Sequence, residues 1–132
     1  MIALDTNLLV RLLLQDDAAQ ARVVERLLIK ARRDGTPLFV SDVVLCELVW
    51  VLTRRARRSR GAIASALERL LETESVIVTD ADIARQAVAA YRSGAGDFAD
   101  YLIREHALAA GADAVATFDR VLKGEPGFRV IG

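Results

Sequence analysis

Short apolar runs alternate with longer stretches of helically spaced apolar residues along the whole chain. A run of about four apolar residues is typical of a strand, and recurrence at spacings of three and four is typical of a helix. The runs predict five strands, at residues 1–4, 37–40, 75–78, 114–117 and 128–131. The spacings predict six helices, over residues 6–14, 18–31, 42–53, 62–72, 80–91 and 97–110.

Polar residues and glycine mark the ends of several of these helices. Asp16, Ser41 and Asp97 each precede a predicted helix, where a short polar side chain accepts a hydrogen bond from the first turn. Gly35 follows the second helix, where glycine readily adopts the left-handed conformation that ends many helices. Residues 93–96 are small or glycine and predict a loop.

This alternation of strands and helices predicts an α/β fold. Helices that connect successive strands favour a parallel sheet covered on both faces. We therefore expect three α/β/α layers around a central, mostly parallel sheet of about five strands. The length of 132 residues suits one domain, which we expect to span residues 1–132. Ligands of such sheets bind beyond the carboxyl ends of the strands.

Composition narrows the class of protein. Hydrophobic residues make up 53% of the chain, which excludes disorder, and charges interrupt every apolar stretch too soon for a membrane span. The first residues show no secretory signal, so we expect a cytoplasmic protein. The single cysteine, Cys46, excludes an intrachain disulfide. Because 18 basic residues balance 18 acidic ones, any nucleic-acid binding requires a local basic patch.

Acidic residues lie near the carboxyl ends of several predicted strands. Asp5 directly follows the first strand and Asp119 lies just past the fourth, while Asp97 and Asp100 begin the helix that leads to the fourth. Glu47 lies within an apolar helix, where a buried carboxylate requires a partner. Each has an ordinary alternative. Asp5 and Asp97 suit helix caps, Asp119 suits a turn, and Glu47 suits a salt bridge or a solvent-facing position.

Taken together, these carboxylates predict a metal site. Four or more carboxylates in one cleft repel each other and stay ionised only if cations are present. A ligand set of oxygens without cysteine or histidine suits Mg²⁺ or Mn²⁺. Such ions activate water and neutralise charge on a phosphodiester. If the carboxylates meet, the pattern indicates metal-dependent phosphodiester hydrolysis.

Four segments of the chain resemble the motifs of PIN-domain nucleases. Residues 4–11 (LDTNLLVR) are similar to the opening of the family. Glu47, residues 97–103 (DFADYLI) and residues 117–120 (TFDR) follow in the family's order and at its approximate spacing. The resemblance covers essentially the whole chain, and it is to VapC-type toxins of toxin–antitoxin pairs in particular.

The resemblance implies an acidic quartet that holds Mg²⁺ or Mn²⁺ and catalyses hydrolysis, formed by Asp5, Glu47, Asp100 and Asp119. Asp100 is preferred to Asp97 because the family's third carboxylate stands in an Asp-x-x-Ile pattern, which Asp100 and Ile103 supply. Asp5, Glu47 and Asp100 would orient one ion, and Asp119 would assist a second ion or act through water. Supporting polar groups are expected from Thr6, Asn7, Asp97 and Thr117.

The same resemblance implies partners. VapC-type toxins cleave RNA, commonly form homodimers, and are held inactive by a VapB-type antitoxin that lays an apolar segment in a groove. Wide apolar faces on the predicted helices 18–31, 42–53 and 62–72 offer such a groove, unless the core uses them all.

An arginine-rich segment is the best local basic patch. It contains five arginines in seven residues: Arg54, Arg55, Arg57, Arg58 and Arg60. Arginine forks match phosphate geometry, so the segment predicts RNA binding. The alternative is a solvated helix end, where cations complement the helix dipole.

Three other functions stay open at this stage. A PIN nuclease can act in RNA processing or on DNA without an antitoxin, and a PIN module can bind RNA without cleaving it. A phosphotransfer domain with Asp5 as nucleophile is disfavoured, because Asn7 stands where its second aspartate is required.

Overall fold

The structure is a computed structural model that describes residues 1–132. Its five strands are β1 (Ile2–Ala3), β2 (Leu38–Val40), β3 (Val76–Val78), β4 (Val115–Thr117) and β5 (Phe128–Val130). Its six helices are α1 (Thr6–Leu14), α2 (Ala18–Asp34), α3 (Asp42–Arg54), α4 (Arg60–Glu72), α5 (Ala81–Ser93) and α6 (Phe98–Ala109). A 3₁₀ turn covers Arg120–Leu122. The chain forms two compact units, Met1–Ala81 and Asp82–Gly132.

The N-terminal unit is built on a three-stranded parallel sheet in the order β1-β2-β3. Leu38 pairs in register with Ile2 on one side and Val76 on the other, so β2 is the central strand. Leu38 and Val40 are completely buried, as expected for a central strand covered by helices. α1 packs against α2 and α3, and α3 also contacts α4.

The C-terminal unit contains a two-stranded parallel sheet of β4 and β5, with Thr117 opposite Val130. Its largest fully buried side chains are Phe98 and Tyr101 at the start of α6 and Leu122 in the 3₁₀ turn. These three side chains therefore fix the two segments that carry the acidic residues of this unit.

The structure confirms an α/β fold with parallel strand pairing. The expected sheet of about five strands is wrong in size, because the largest sheet has three strands and the five short strands divide between two sheets. Apolar runs locate strands, but they do not specify which strands exchange backbone hydrogen bonds. That the two units form one domain stays a prediction.

The helix ends agree with the sequence at most positions. Gly35 ends α2 with φ of 66°, and the Ser41 side chain accepts a hydrogen bond from Val44 N–H at the start of α3. The assignment of Asp16 as the cap of α2 is wrong. Asp17 accepts from Gln20 N–H at 3.0 Å instead, because Asp16 pairs with Arg11 at 3.2 Å.

Candidate functional site

Asp5 is placed by the junction between β1 and α1. Leu4 is buried, and the chain then turns so that Asp5 is the N-cap of α1, with Asp5 Oδ1 accepting a hydrogen bond from Thr6 N–H at 2.7 Å. The side chain is exposed. Asp5 is thus a helix cap, as the alternative held, and this cap leaves Oδ2 free.

Glu47 is placed by α3, which buries Leu45 and Leu48 and leaves Glu47 exposed. The argument that Glu47 requires a partner because it is buried is therefore wrong. α3 buries only one face, and Glu47 lies on the other with Val43 and Trp50, which are 66% and 58% exposed. Of the two alternatives for Glu47, the solvent-facing position is the one observed.

Thr6 connects the two carboxylates of the N-terminal unit. It is 4% exposed, and its hydroxyl donates to Glu47 Oε2 at 3.2 Å while its N–H donates to Asp5. Because a buried threonine has little rotational freedom, this pair of hydrogen bonds fixes Glu47 next to Asp5. Thr6 therefore acts as a positioning residue in this unit, and its expected place near a metal or phosphate stays a prediction.

Asp97 and Asp100 are placed by the start of α6. Asp97 is the N-cap residue, and its N–H donates to Asp100 Oδ2 at 2.9 Å. The preceding loop is held by Tyr101, whose hydroxyl accepts from Gly96 N–H at 3.0 Å. Gly94 is required there, because a Cβ at that position would overlap the same hydroxyl. The buried tyrosine thus fixes the loop that precedes both aspartates.

Asp119 is placed by the turn after β4. Asp119 N–H donates to Thr117 Oγ1 at 3.1 Å, and Asp119 Oδ1 accepts from Val121 N–H at 3.0 Å. Asp119 is an exposed turn residue, as its alternative held. Thr117 supports the backbone of Asp119, and its expected place near a metal or phosphate stays a prediction.

Two of the neighbouring aspartates, Asp97 and Asp119, act electrostatically on Asp100. Burial raises the pKa of Asp100 above its usual value, the hydrogen bond from Asp97 N–H opposes this effect, and the negative charges of Asp97 and Asp119 raise the pKa further. The surroundings of Asp100 therefore disfavour its ionised form. A bound cation would reverse that effect.

The acidic residues are suited to a divalent ion by their chemistry. None of Asp5, Glu47, Asp97, Asp100 and Asp119 forms a salt bridge with lysine or arginine. Carboxylates without basic partners are typical ligands of Mg²⁺ and Mn²⁺. The structure contains no group of three or more His, Cys, Asp or Glu side chains arranged to hold one metal ion. A site formed by the quartet stays a prediction.

Asn7 lies in a groove between α1 and α2. The groove has a volume of about 420 Å³, and Leu8, Val23 and Val24 contribute apolar lining. The Asn7 side chain forms no hydrogen bond with the carboxylates, and its expected supporting role stays a prediction.

The arginine-rich segment forms the turn between α3 and α4. Arg54 is the last residue of α3, Arg57 has a positive φ of 51°, and Arg58 N–H donates to Leu52 O at 2.9 Å. Four of the five arginines are exposed. Arg69, on α4, lines the same small pocket as Arg58. The sequence gives no signal for Arg69, because only the packing of α4 beside α3 brings it to this turn.

Two comparisons place the chain among known proteins. A family model described as the PIN domain matches residues 2–124. A curated protein named VapC ribonuclease, from Aquifex aeolicus (strain VF5), is 28% identical over 131 residues, which cover 99% of this chain and 96% of that protein. No helix in the structure is long and apolar enough to span a membrane.

Proposed function

This chain belongs to the PIN-domain family, and from that premise we propose that it is a metal-dependent endoribonuclease, the toxin of a VapBC-type toxin–antitoxin pair. The observation that carries the proposal is that Asp5, Glu47, Asp97, Asp100 and Asp119 form no salt bridge with a basic residue, and the resemblance in sequence implies that four of them are the family's carboxylates. The similarity to VapC ribonuclease across nearly the whole chain supports RNA as the substrate.

Mg²⁺, with Mn²⁺ as a substitute, would be held by Asp5, Glu47, Asp100 and Asp119. When bound, such an ion lowers the pKa of water and neutralises charge on the phosphate. The chain's own hydrogen bonds orient these ligands. One oxygen of each carboxylate accepts a hydrogen bond. Asp5 accepts from Thr6 N–H and Glu47 from the Thr6 hydroxyl. Asp100 accepts from Asp97 N–H and Asp119 from Val121 N–H. The second oxygen of each carboxylate is left for a ligand.

The chemistry predicts the ends of the RNA products. A water molecule attacks phosphorus in line, the bond to the 3′ oxygen breaks, and that oxygen takes a proton. The products then carry a 5′-phosphate and a 3′-hydroxyl. We expect expression of the chain in a bacterial host to be toxic and to generate new RNA 5′ ends that ligate without prior phosphorylation. A 2′,3′-cyclic phosphate on the upstream fragment would contradict hydrolysis by water.

The proposal includes partners. We propose that a VapB-type antitoxin inserts an apolar segment into the groove between α1 and α2, where Val23 is 57% exposed. The other two apolar faces from the sequence are largely used by the core, since Leu48 and Leu67 are buried. The exposed Val43 and Trp50 on α3 support a homodimer. We propose that the protein acts in the cytoplasm.

The arginine-rich turn is proposed to bind RNA phosphates. The double variant Arg54→Gln/Arg55→Gln is expected to weaken binding of single-stranded RNA and to flatten its salt dependence. Each lost phosphate contact lowers the slope of log K against log salt by about 0.7. Fluorescence anisotropy at several salt concentrations, in EDTA to prevent cleavage, measures this slope.

The matched control is Arg22→Gln/Arg26→Gln, which removes the same charge from exposed positions on α2. The control should keep the parent's slope, because its arginines lie outside the proposed contact. Equal slopes for both double variants would refute an RNA contact at the turn.

A further inference from the structure

A small pocket lies where the C-terminal ends of α1 and α3 meet α4, within the N-terminal unit. Its volume is about 180 Å³. Apolar side chains from all three helices line it, among them Leu13, Leu52 and Ile63. A pocket with apolar walls contributed by three helices suits a flat, largely apolar group.

Two arginines are among the residues that line this pocket. Arg58 comes from the α3–α4 turn and Arg69 from the side of α4, and neither forms a salt bridge. Residues 48–67, around Arg58, contain no Asp or Glu, and Glu68 and Glu72 on α4 form no salt bridge with Arg69. An apolar pocket bordered by two unpaired arginines is complementary to a ligand with an apolar body and an anionic group.

The position of the pocket relative to Asp5 and Glu47 favours a nucleotide over an acidic peptide. Thr6, which bonds both carboxylates, begins α1, and Leu13 of the pocket lies seven residues later on the same helix. At 1.5 Å per residue, this is a separation of roughly 10 Å along α1. Stacked nucleotides rise about 3.4 Å each, so roughly three steps of a strand bridge this distance. An acidic peptide bound in the pocket has no comparable role at Asp5 and Glu47.

We propose that this pocket is a nucleotide subsite, which binds the base of one residue of the RNA strand between its apolar walls. Arg58 and Arg69 hold the adjoining phosphate by charge-assisted hydrogen bonds. The proposal rests on the proposed function, because it identifies the bound nucleotide as part of the substrate. It assigns the pocket a role in selecting a base a few nucleotides from the cleaved bond.

Titration of the metal-free full chain with mononucleotides, followed by amide chemical shifts in NMR, tests this subsite. The probes are AMP, GMP, CMP and UMP, with ribose 5-phosphate and inorganic phosphate as base-free probes and a short Leu/Glu peptide as an acidic competitor. At least one nucleotide is expected to shift amides around Ala62 and Arg69 and to bind about tenfold more tightly than ribose 5-phosphate, a difference of about 1.4 kcal/mol.

Two kinds of variant separate the base from the phosphate. Ala62→Leu fills the pocket from an exposed position that lines it, and should abolish the preference for nucleotides while leaving ribose 5-phosphate binding unchanged. Arg69→Gln should lower the affinity for both the nucleotides and ribose 5-phosphate by about tenfold, since it removes one charge-assisted contact with the phosphate. The matched controls are Ala19→Leu and Arg26→Gln, at exposed positions on α2 outside the pocket.

The outcomes are separable from those of the proposed function. Equal binding of ribose 5-phosphate and all nucleotides, or shifts at the pocket with the acidic peptide alone, would overturn the subsite while RNA cleavage by the parent stands. Nucleotide binding at the pocket in a chain that cleaves no RNA with Mg²⁺ or Mn²⁺ would overturn the proposed function, and with it the assignment of the ligand as substrate.

Discussion

Changing Asp5 to asparagine is expected to abolish RNA cleavage while the fold stays intact. Asp5 caps α1 through one oxygen, and asparagine caps helices as well as aspartate does. The change therefore removes a charge and a metal ligand but keeps the structural role. We expect cleavage to fall by at least 10²–10³-fold, about the effect of losing one group that stabilises charge in a transition state. The free energy of unfolding should change by less than about 0.5 kcal/mol.

Asp17 provides the matched control for this variant. It caps α2 in the way that Asp5 caps α1, by accepting from a backbone N–H of the first turn, here that of Gln20. Asp17→Asn should keep the parent's cleavage rate. Cleavage of a labelled RNA with Mg²⁺, together with thermal unfolding in EDTA, separates the two effects. Parental cleavage by Asp5→Asn would remove Asp5 from the site, whatever its effect on stability.

Glu47→Gln extends this test to the second carboxylate of the unit. Glutamine keeps an oxygen that accepts from the Thr6 hydroxyl, so the link between α1 and α3 is retained while the charge is lost. If both carboxylates bind one metal ion, the double variant Asp5→Asn/Glu47→Gln should lose little more activity than either single variant. The effects of substituting residues that act as a unit are not additive. Fully additive losses would indicate two separate roles.

The sequence locates the candidate residues relative to the strands better than it predicts their surroundings. Asp5 and Asp119 stand out as candidates because each lies two residues past the end of a strand, and the position of a strand end is a local property of the chain. Whether Glu47 is buried or exposed is not a local property of the chain. Its apolar neighbours in sequence suggest burial, but a helix with one buried face leaves several apolar residues, such as Trp50, in contact with solvent.

The features of the fold and the candidate site that could not be predicted from the sequence depend on contacts between residues far apart in the chain. The hydrogen bond between Thr6 and Glu47 joins residues separated by 41 positions, and no spacing rule connects them. Arg58 and Arg69 likewise share a pocket only because α4 packs beside α3. Sheet size has the same origin, because it depends on which short strands come close enough to exchange hydrogen bonds. These are properties of packing, whereas helix positions follow from periodicity.

Changing Asp100 to asparagine is expected to abolish cleavage and, at the same time, to stabilise the metal-free protein. Burial and the charges of Asp97 and Asp119 raise the pKa of Asp100, so the fold disfavours its ionised form. Asparagine removes this charge and keeps an oxygen for Asp97 N–H. Cleavage should fall by more than about 10²-fold, the upper end for groups that only support a metal ligand. Such opposition between stability and activity is common at functional sites.

The raised pKa of Asp100 also determines how the stability difference between Asp100→Asn and the parent changes with pH. Because the folded-state pKa of Asp100 is raised, its ionisation destabilises the fold at pH values above that pKa. The penalty disappears as the pH falls toward the unfolded value of 3.8. The melting temperature of Asp100→Asn in EDTA should therefore exceed the parent's at neutral pH, and the two should converge near pH 4.

Asp113→Asn is the control, because it makes the same change at an exposed residue that forms no ion pair. It should show neither the gain in stability nor the loss of cleavage. Adding Mg²⁺ should reverse the order of the melting temperatures of parent and Asp100→Asn, since an ion that binds only the folded state stabilises the protein that retains its ligands. A melting temperature of Asp100→Asn below the parent's at neutral pH in EDTA would show that the Asp100 charge stabilises the fold. Burial and the charges of Asp97 and Asp119 would then not dominate the effect of the surroundings on Asp100.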